Sequence, residues 1–486
     1  MNAAFDPERF RREGRAVVDW LADYWATLAD RPVSLPVEPG AVRRQLPAAA
    51  PDTPEPLAAV LADLDRVILP ALTHWQHPGF FAYFPASTAP PSILGELLAA
   101  GLGVQGMLWS TSPACTELET HVLDWLADLL GLPARLTSRG PGGGVILDSA
   151  SSGVLVALLA ARERATAGIT NGAGMAATPA PLTVYASADA HSCVEKALCI
   201  AGLGRGALRR IAVAADGGLD AAALSDRLAA DAAAGCRPCL VVATVGTTAR
   251  GGIDPVSAIA AAAARHGAWV HVDAAWAGTA ALCPEWRADL VAGTDAIDSW
   301  GTNPHKWLQV NFDCHCLWLA DRAPVVRALS VKPEYLRNAA TESGAVIDYS
   351  DWQVPLGRRF RALKLWLTLR LTGAEALRGR IRDHVHWAGW FAERVAADDR
   401  LVLLCPPSLA LVCFAAAGGD AATTILLEQI NANGRVLMSQ ARVAGRTAIR
   451  LAVGSPTTRR EHVEGAWDTV VAGLSQMPDG APDRPG

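Results

Sequence analysis

The feature that most constrains the fold is a repeated exchange of two hydrophobic patterns between about residues 90 and 370. Short apolar runs of strand length occur at 144–147, 182–186, 239–245, 268–272 and 314–319. Between them lie longer stretches of helical character, at 153–165, 193–201, 221–234 and 255–266. Strands that read as continuous apolar runs are buried on both faces, as in a parallel sheet covered by helices. The alternation therefore predicts an α/β domain around a largely parallel sheet, spanning 90–379. Beyond it the order becomes helix, strand (401–404), strand (410–414), helix, strand, helix, which predicts a smaller α+β domain over 380–476. The Pro/Gly-rich tail 477–486 is expected to be disordered.

Residues 1–89 have another character. Asp6-Pro7 reads as a cap followed by proline at the first helical position. Phe10, Val17, Leu21, Tyr24 and Leu28 then follow at mostly helical spacing, giving an amphipathic arm. A proline-rich connection over 32–56 leads to a second helix over 57–69. The apolar face of the arm needs a surface, on its own chain or on a second copy.

The chain has 486 residues, 51% of them hydrophobic, so it can bury a large core and divide into domains. Its net charge of −5 gives no basic footprint for nucleic acid or an anionic membrane. The N-terminus lacks a long apolar secretory core, and the longest apolar stretch, 401–417, is broken by Pro406-Pro407. Ten cysteines without framework spacing suit thiols in a reducing compartment. These readings predict a soluble cytoplasmic protein without nucleic-acid or membrane partners.

The chemistry is carried at the ends of the apolar runs. The run 268–272 delivers Asp273 to a carboxyl edge, and Lys306 follows inside Thr302-Asn303-Pro304-His305-Lys306-Trp307. A carboxylate and a lysine at one sheet edge suit pyridoxal phosphate: the acid holds the ring nitrogen protonated and the amine forms a Schiff base with the aldehyde. Upstream, Gly142-Gly143-Gly144 leads through an apolar run into Asp148-Ser149-Ala150-Ser151-Ser152-Gly153 at a helix start, where backbone N–H groups and the helix dipole favour a phosphate. A serine-capped helix is the plainer reading of that segment alone. His191, after the run 182–186, could stack on a cofactor ring or serve as a structural histidine. Thr244-Val245-Gly246-Thr247-Thr248 brings hydroxyls to the same edge, where ligands of open α/β sheets bind.

Other combinations carry less. Neighbouring residues of Cys314-His315-Cys316 point to opposite strand faces and cannot readily chelate one ion, so no metal site is expected. His384 and His386 are expected at the surface. Arg358-Arg359-Phe360-Arg361 is short and local, and internal ion pairing is expected of it.

With these residues in hand, the chain resembles the pyridoxal-phosphate-dependent group II decarboxylases, specifically the aromatic L-amino acid decarboxylases, from about Phe10 to Val471. The resemblance is carried by Thr73-His74-Trp75 with Phe80-Phe81-Ala82-Tyr83-Phe84-Pro85, and by Ser112-Pro113-Ala114-Cys115-Thr116-Glu117-Leu118-Glu119. It continues in His271-Val272-Asp273-Ala274-Ala275, Asn303-Pro304-His305-Lys306-Trp307 and Trp352-Gln353-Val354-Pro355-Leu356-Gly357-Arg358-Arg359-Phe360-Arg361. It implies fold type I, like aspartate aminotransferase, with a seven-stranded sheet, an N-terminal arm (1–89) that packs across a dimer, and a homodimer whose active sites lie at the interface.

Residue by residue, the resemblance implies that Lys306 holds the cofactor and Asp273 pairs with its ring nitrogen. His191 would stack on the ring with Ala275 opposite. Ala150, Ser151 and Asn303 would contact the phosphate, His305 would flank the lysine, and Thr248 would lie near cofactor or substrate carboxylate. Tyr335, in Lys332-Pro333-Glu334-Tyr335-Leu336, matches a mobile-loop residue that reaches the neighbouring subunit and protonates Cα. Trp75, Tyr83, Phe84, Pro85, Ala86 and Gly357 match substrate-pocket positions, and Gln105 and Met107 match positions where apolar and aromatic residues line the partner subunit's side of the pocket.

Several positions depart from the animal enzymes. Asp148 replaces a glycine, adding a carboxylate that points away from the phosphate cradle or weakens it. Trp276 replaces a tyrosine and Ala86 a hydroxyl residue, while Gly357 matches the small residue that accompanies indole substrates in plant relatives. The implied activity is decarboxylation of an aromatic L-amino acid, tryptophan ahead of phenylalanine, tyrosine and dihydroxyphenylalanine. Alternatives are an oxidative decarboxylase–deaminase giving an aldehyde, a catalytically silent homologue, and, from Lys306 and Asp273 alone, an aminotransferase.

Overall fold

The structure is a computed structural model and describes residues 6–331 and 346–477. Seven strands form the main sheet: β1 (Gly143–Leu147), β2 (Leu182–Ser187), β3 (Leu208–Ile211), β4 (Arg237–Thr244), β5 (Trp269–Asp273), β6 (Ser299–Thr302) and β7 (His315–Leu319). Their spatial order is β1-β7-β6-β5-β4-β2-β3. Only β7 runs against its neighbours, β1 and β6. The other pairings are parallel.

Both faces of this sheet are covered, which explains the unbroken apolar runs. Successive residues of β4 alternate between two cores: Leu240 and Val242 join the cluster beneath helices Ala150–Thr166 and Cys193–Ile200. Val241 and Ala243 join the cluster with helices Pro113–Leu130 and Val256–Ala264. β3 and β6 are strands that hydrophobic pattern alone does not reveal. β3 is Leu-Arg-Arg-Ile, an edge strand whose Arg209 pairs with Asp231 and Arg210 with Glu195. β6 is Ser-Trp-Gly-Thr, buried throughout. Its Ser299 hydroxyl accepts the Trp269 indole N–H at 2.8 Å and meets His271 Nδ1 at 2.9 Å, so hydroxyl pairing stands in for apolar character.

After the helices Arg361–Thr372 and Ala374–Ala396 comes an antiparallel sheet of β8 (Leu401–Leu403), β9 (Leu411–Ala416), β10 (Ser439–Val443) and β11 (Arg446–Ala452), in the order β10-β11-β9-β8. The long helix corrects one expectation. His384 is 1% exposed, because Leu377, Ile381, His384 and Ala388 form the buried stripe at helical spacing. The Trp307 indole donates to His384 Nδ1 at 3.0 Å, and burial pushes the imidazole down to about 3. His386, two positions along and on the opposite face of the helix, is exposed.

At the N-terminus, helix Pro7–Ala26 starts as its sequence predicts, with Asp6 accepting the Glu8 N–H at 3.0 Å. None of its residues is buried within the chain. Of the tail expected to be disordered, all but Met477 lies outside the described residues.

The three arginines of 358–361 all pair internally: Arg358 with Glu119, Arg359 with Glu96 and Arg361 with Asp313. The first pair is the deepest. Arg358 is 4% exposed and Glu119 2%, and two guanidinium–carboxylate bonds of 2.7 and 3.0 Å join them. Glu119 also accepts the Ile146 N–H, and Arg358 donates to the Ile146 carbonyl, so the pair fastens helix Pro113–Leu130 to β1. Glu119→Ala would strand a buried cation, at a cost of about 3–5 kcal/mol. Urea unfolding checks this; a loss below about 1 kcal/mol, the level of a surface pair, would contradict it.

Candidate active site

Five of the parallel-running strands end at one edge, and each hands a polar segment to it. β1 leads through Asp148 and Ser149 into the helix at Ala150; β2 leads to His191; β4 ends at Thr244 and turns through Gly246 to Thr248. β5 ends on Asp273 itself, and β6 leads through Asn303 to Lys306. These segments enclose a cavity of about 210 Å³. Ala150, Ser151, Asn303, Asp273, Ala275, His191, Thr248, Lys306 and His305 all line it. All nine residues expected to contact a cofactor are therefore together.

Local bonding fixes these side chains. Asp273 is 7% exposed, and its Oδ1 accepts the Ala275 N–H at 3.1 Å. Ala275 in turn receives the Asn303 N–H on its carbonyl at 3.0 Å, tying the β5 and β6 ends together. His191 Nδ1 accepts the Cys193 N–H at 3.1 Å, which leaves the proton of a neutral ring on Nε2. His305 Nδ1 likewise accepts the Cys314 N–H at 2.9 Å. Ser149 caps the helix Ala150–Thr166, with Ser152 N–H donating to its hydroxyl. The first-turn N–H groups of a helix lack intrahelical acceptors and suit an anion. Asp148 is absent from the cavity lining; its carboxylate accepts the Ser149 hydroxyl at 3.0 Å. It supports the cap instead of crowding the anion site.

The electrostatics favour neutral bases beside one carboxylate. Desolvation lowers the Lys306 amine from its ordinary value; Asp273 and Cys193 oppose the shift, while Arg450 adds to it. Lys306 reaches the cavity yet is walled by protein, so loss of hydration decides the sign. Desolvation also lowers His191, with Asp273 opposing and Lys306 reinforcing. Burial, with the nearby Lys306 charge, pushes His305 down to about 3. A less basic lysine carries more free amine near neutral pH, the form that attacks a carbonyl.

Four lining residues were not assigned a contact from sequence: Ser149, Thr244, Gly246 and Trp276. Thr244 is 5% exposed, and its hydroxyl has no partner among the described residues. The Trp276 indole stacks between Phe84 at 4.2 Å and Trp307 at 5.2 Å. Gly246, at φ +92°, permits this: a Cβ there would lie 2.6 Å from Ala277 Cβ and 3.2 Å from the Trp276 ring. The run of stacked rings was foreshadowed only by Trp276 itself, since Phe84 lies far away in sequence.

Of the substrate-pocket positions, Phe84 alone lines the cavity within its own chain. Trp75 and Tyr83 stack on each other with centroids 5.6 Å apart and remain partly exposed. Pro85 is buried next to Gly454, and the Ala86 carbonyl accepts from Gln76. Gln105 lies across Gly357, accepting the Arg358 N–H at 3.0 Å, and the Met107 carbonyl accepts the Ser350 N–H. Within one chain these seven lie outside the cavity lining, as the resemblance implies for Gln105 and Met107 and does not for the other five. Tyr335 lies outside the described residues. His315, from the Cys-His-Cys run, faces Asn303, and no cluster of metal-binding side chains occurs among the described residues.

A lysine and a carboxylate at the carboxyl edge of a largely parallel sheet, with a helix-start anion site beside them, define a fold type I pyridoxal-phosphate enzyme. Residues 39–417 match the pyridoxal-dependent decarboxylase conserved domain, and the chain belongs to that family. Among its relatives, a phenylacetaldehyde synthase of Arabidopsis thaliana is 42% identical over 474 residues, 96% of each chain. A tyrosine decarboxylase of Oryza sativa subsp. japonica is 46% identical, covering 96% of this chain and 90% of that one. The crystal structure of Oryza sativa TDC with PLP and tryptamine superposes with a TM-score of 0.94 at 39% identity, covering 98% of this chain and 99% of that one.

The cofactor of this family is pyridoxal phosphate, and the cavity fits it. A dianion needs donors, which the helix start and Asn303 could provide. A ring nitrogen that carries a proton needs an acceptor, which Asp273 could provide. An aldehyde needs an amine, which Lys306 could provide. No described helix is long and apolar enough to cross a membrane.

Proposed function

We propose that this chain decarboxylates an aromatic L-amino acid to the arylalkylamine and CO2, with tryptophan ahead of phenylalanine, tyrosine and dihydroxyphenylalanine. The observation that carries the proposal is the meeting of Lys306, Asp273 and His191 in one cavity walled by the Phe84–Trp276 stack. When bound, pyridoxal phosphate supplies an aldehyde for the amine and a cationic ring that accepts the electron pair left by departing CO2. Lys306 is the attachment residue. Asp273 would pair with the ring nitrogen and favour its protonated form. Ala150, Ser151 and Asn303 would hold the phosphate, His191 and Ala275 would flank the ring, His305 would flank Lys306, and Thr248 would lie near the cofactor or substrate carboxylate.

His191 keeps a proton on Nε2 and can pass it along; delivery to Cα is assigned to Tyr335 by resemblance. The aromatic stack offers a flat apolar surface with little polar discrimination, so several aromatic substrates should be turned over. The order of preference rests on Ala86, which has no hydroxyl for a ring hydroxyl, and on the space at Gly357. A Cβ at Gly357 would come within 3.3 Å of Gln105 Nε2.

The seven pocket positions outside the lining fit a site completed by a second copy of the chain. No residue of helix Pro7–Ala26 is fully buried in its own chain, and Phe10 is 70% exposed. Leu94, Leu97, Leu98 and Leu102 are exposed along one helix. A homodimer covers these surfaces. The ten cysteines are all free, which suits the cytoplasm.

Purified holoenzyme should convert tryptophan to tryptamine with one CO2 per turnover, no stoichiometric peroxide, and kcat/KM at least equal to that for tyrosine. Mass spectrometry of products with a peroxide assay checks this. Aldehyde with equimolar peroxide would replace the proposal with oxidative deamination. A much higher kcat/KM for tyrosine would reverse the substrate order.

A further inference from the structure

Asn303 follows β6 and lines the cavity. Its Oδ1 lies 2.6 Å from Nδ1 of His315, the first residue of β7. His315 is 1% exposed, and its Nε2 has no partner among the described residues. The ring sits in a slot between two glycines. A Cβ on Gly153 would stand 2.2 Å from Nε2, and one on Gly301 would stand 2.7 Å from Cε1. Gly153 belongs to the first turn of the helix Ala150–Thr166, so the imidazole is wedged between that helix and β6.

A primary amide has an accepting end and a donating end. A phosphate dianion offers acceptors only, so only the amide NH2 can bond to it. We propose that His315 is a positioning residue for the cofactor phosphate: its Nδ1–H donates to Asn303 Oδ1 and turns the Asn303 NH2 toward the anion site. This rests on the assignment of Asn303 to the phosphate made above. Desolvation holds His315 neutral, well below the ordinary histidine range, so the ring carries one N–H. With that proton on Nδ1, the group left unpaired at Nε2 is a lone pair, and unpaired acceptors are tolerated better in protein interiors than unpaired donors.

The test uses full-length apoenzyme titrated with pyridoxal phosphate and, separately, with pyridoxal, binding being read from tryptophan fluorescence. His315→Leu, which cannot donate, should weaken pyridoxal phosphate about tenfold, the scale of one bond to a charged group, and leave pyridoxal unchanged. His315→Asn places an amide N–H where Nδ1 stood and should restore most of the affinity. His315→Gln places its donor near Nε2 instead and should not. Should the leucine variant fail to fold, this Asn/Gln contrast decides the matter. Asn303→Ala should weaken pyridoxal phosphate selectively, and adding His315→Leu to it should weaken binding no further. Equal weakening of both ligands by His315→Leu, or none, overturns the positioning role while selective loss in Asn303→Ala upholds the phosphate reading. No selectivity in Asn303→Ala overturns that reading and the proposal with it.

Discussion

Lys306→Ala should lower kcat for tryptophan by roughly 10⁴-fold or more, the scale on which loss of a covalent catalytic group registers. The expectation follows from the position of the amine. Lys306 sits in a four-residue helical turn after β6, within the same cavity as Asp273 and the helix-start donors. Its surroundings lower its basicity through desolvation, so the free amine is more accessible than on an exposed lysine. Alanine removes the attachment and leaves the donors for phosphate intact. The variant should still bind pyridoxal phosphate but release it on dialysis. Steady-state decarboxylation and retained cofactor after dialysis measure the two effects. Activity within about tenfold of the unmodified enzyme would mean that another group carries the chemistry.

The second large effect is expected at Asp273. Asp273→Asn keeps the shape and the acceptor for the Ala275 N–H, so the β5 end should hold its conformation. What it loses is the negative charge. Without that charge the residue would no longer favour a protonated ring nitrogen on the bound cofactor, which would weaken the electron sink that the cofactor supplies. Losing one preorganised electrostatic partner costs about 10²–10³-fold in kcat. The same substitution should lower the Lys306 and His191 pKa values further, because the Asp273 charge opposes desolvation at both. A downward shift in the pH profile together with lost kcat and an unchanged unfolding midpoint is the expected combination. Near-normal kcat would remove Asp273 from the chemistry.

The segments that line the cavity are legible in the sequence for a physical reason. Lys306, Asp273, His191 and the Ser149–Ser151 segment each stand just past an apolar run, and a mostly parallel sheet must gather such segments at one edge. Strand β6 escaped notice because its burial is satisfied through Ser299 bonding to Trp269 and His271, with no apolar run to mark it. The spacing of His384 and His386 does not tell which of them is buried; Leu377, Ile381 and Ala388 decide the face. Trp276 could be singled out as a departure, but its stack joins Phe84, Trp276 and Trp307 from distant segments, and no local pattern encodes that. Gln105 and Gly357 do meet, though beyond the cavity lining of their own chain, and no local pattern encodes that approach.

The central claim is that one lysine anchors the cofactor opposite one acid, and reductive trapping tests it most directly. Holoenzyme treated with borohydride, digested and mapped by mass spectrometry should carry the reduced pyridoxyl phosphate mass on the peptide containing Lys306, and Lys306→Ala should carry none. The label on a different lysine, or on no peptide at all in active enzyme, would contradict the account.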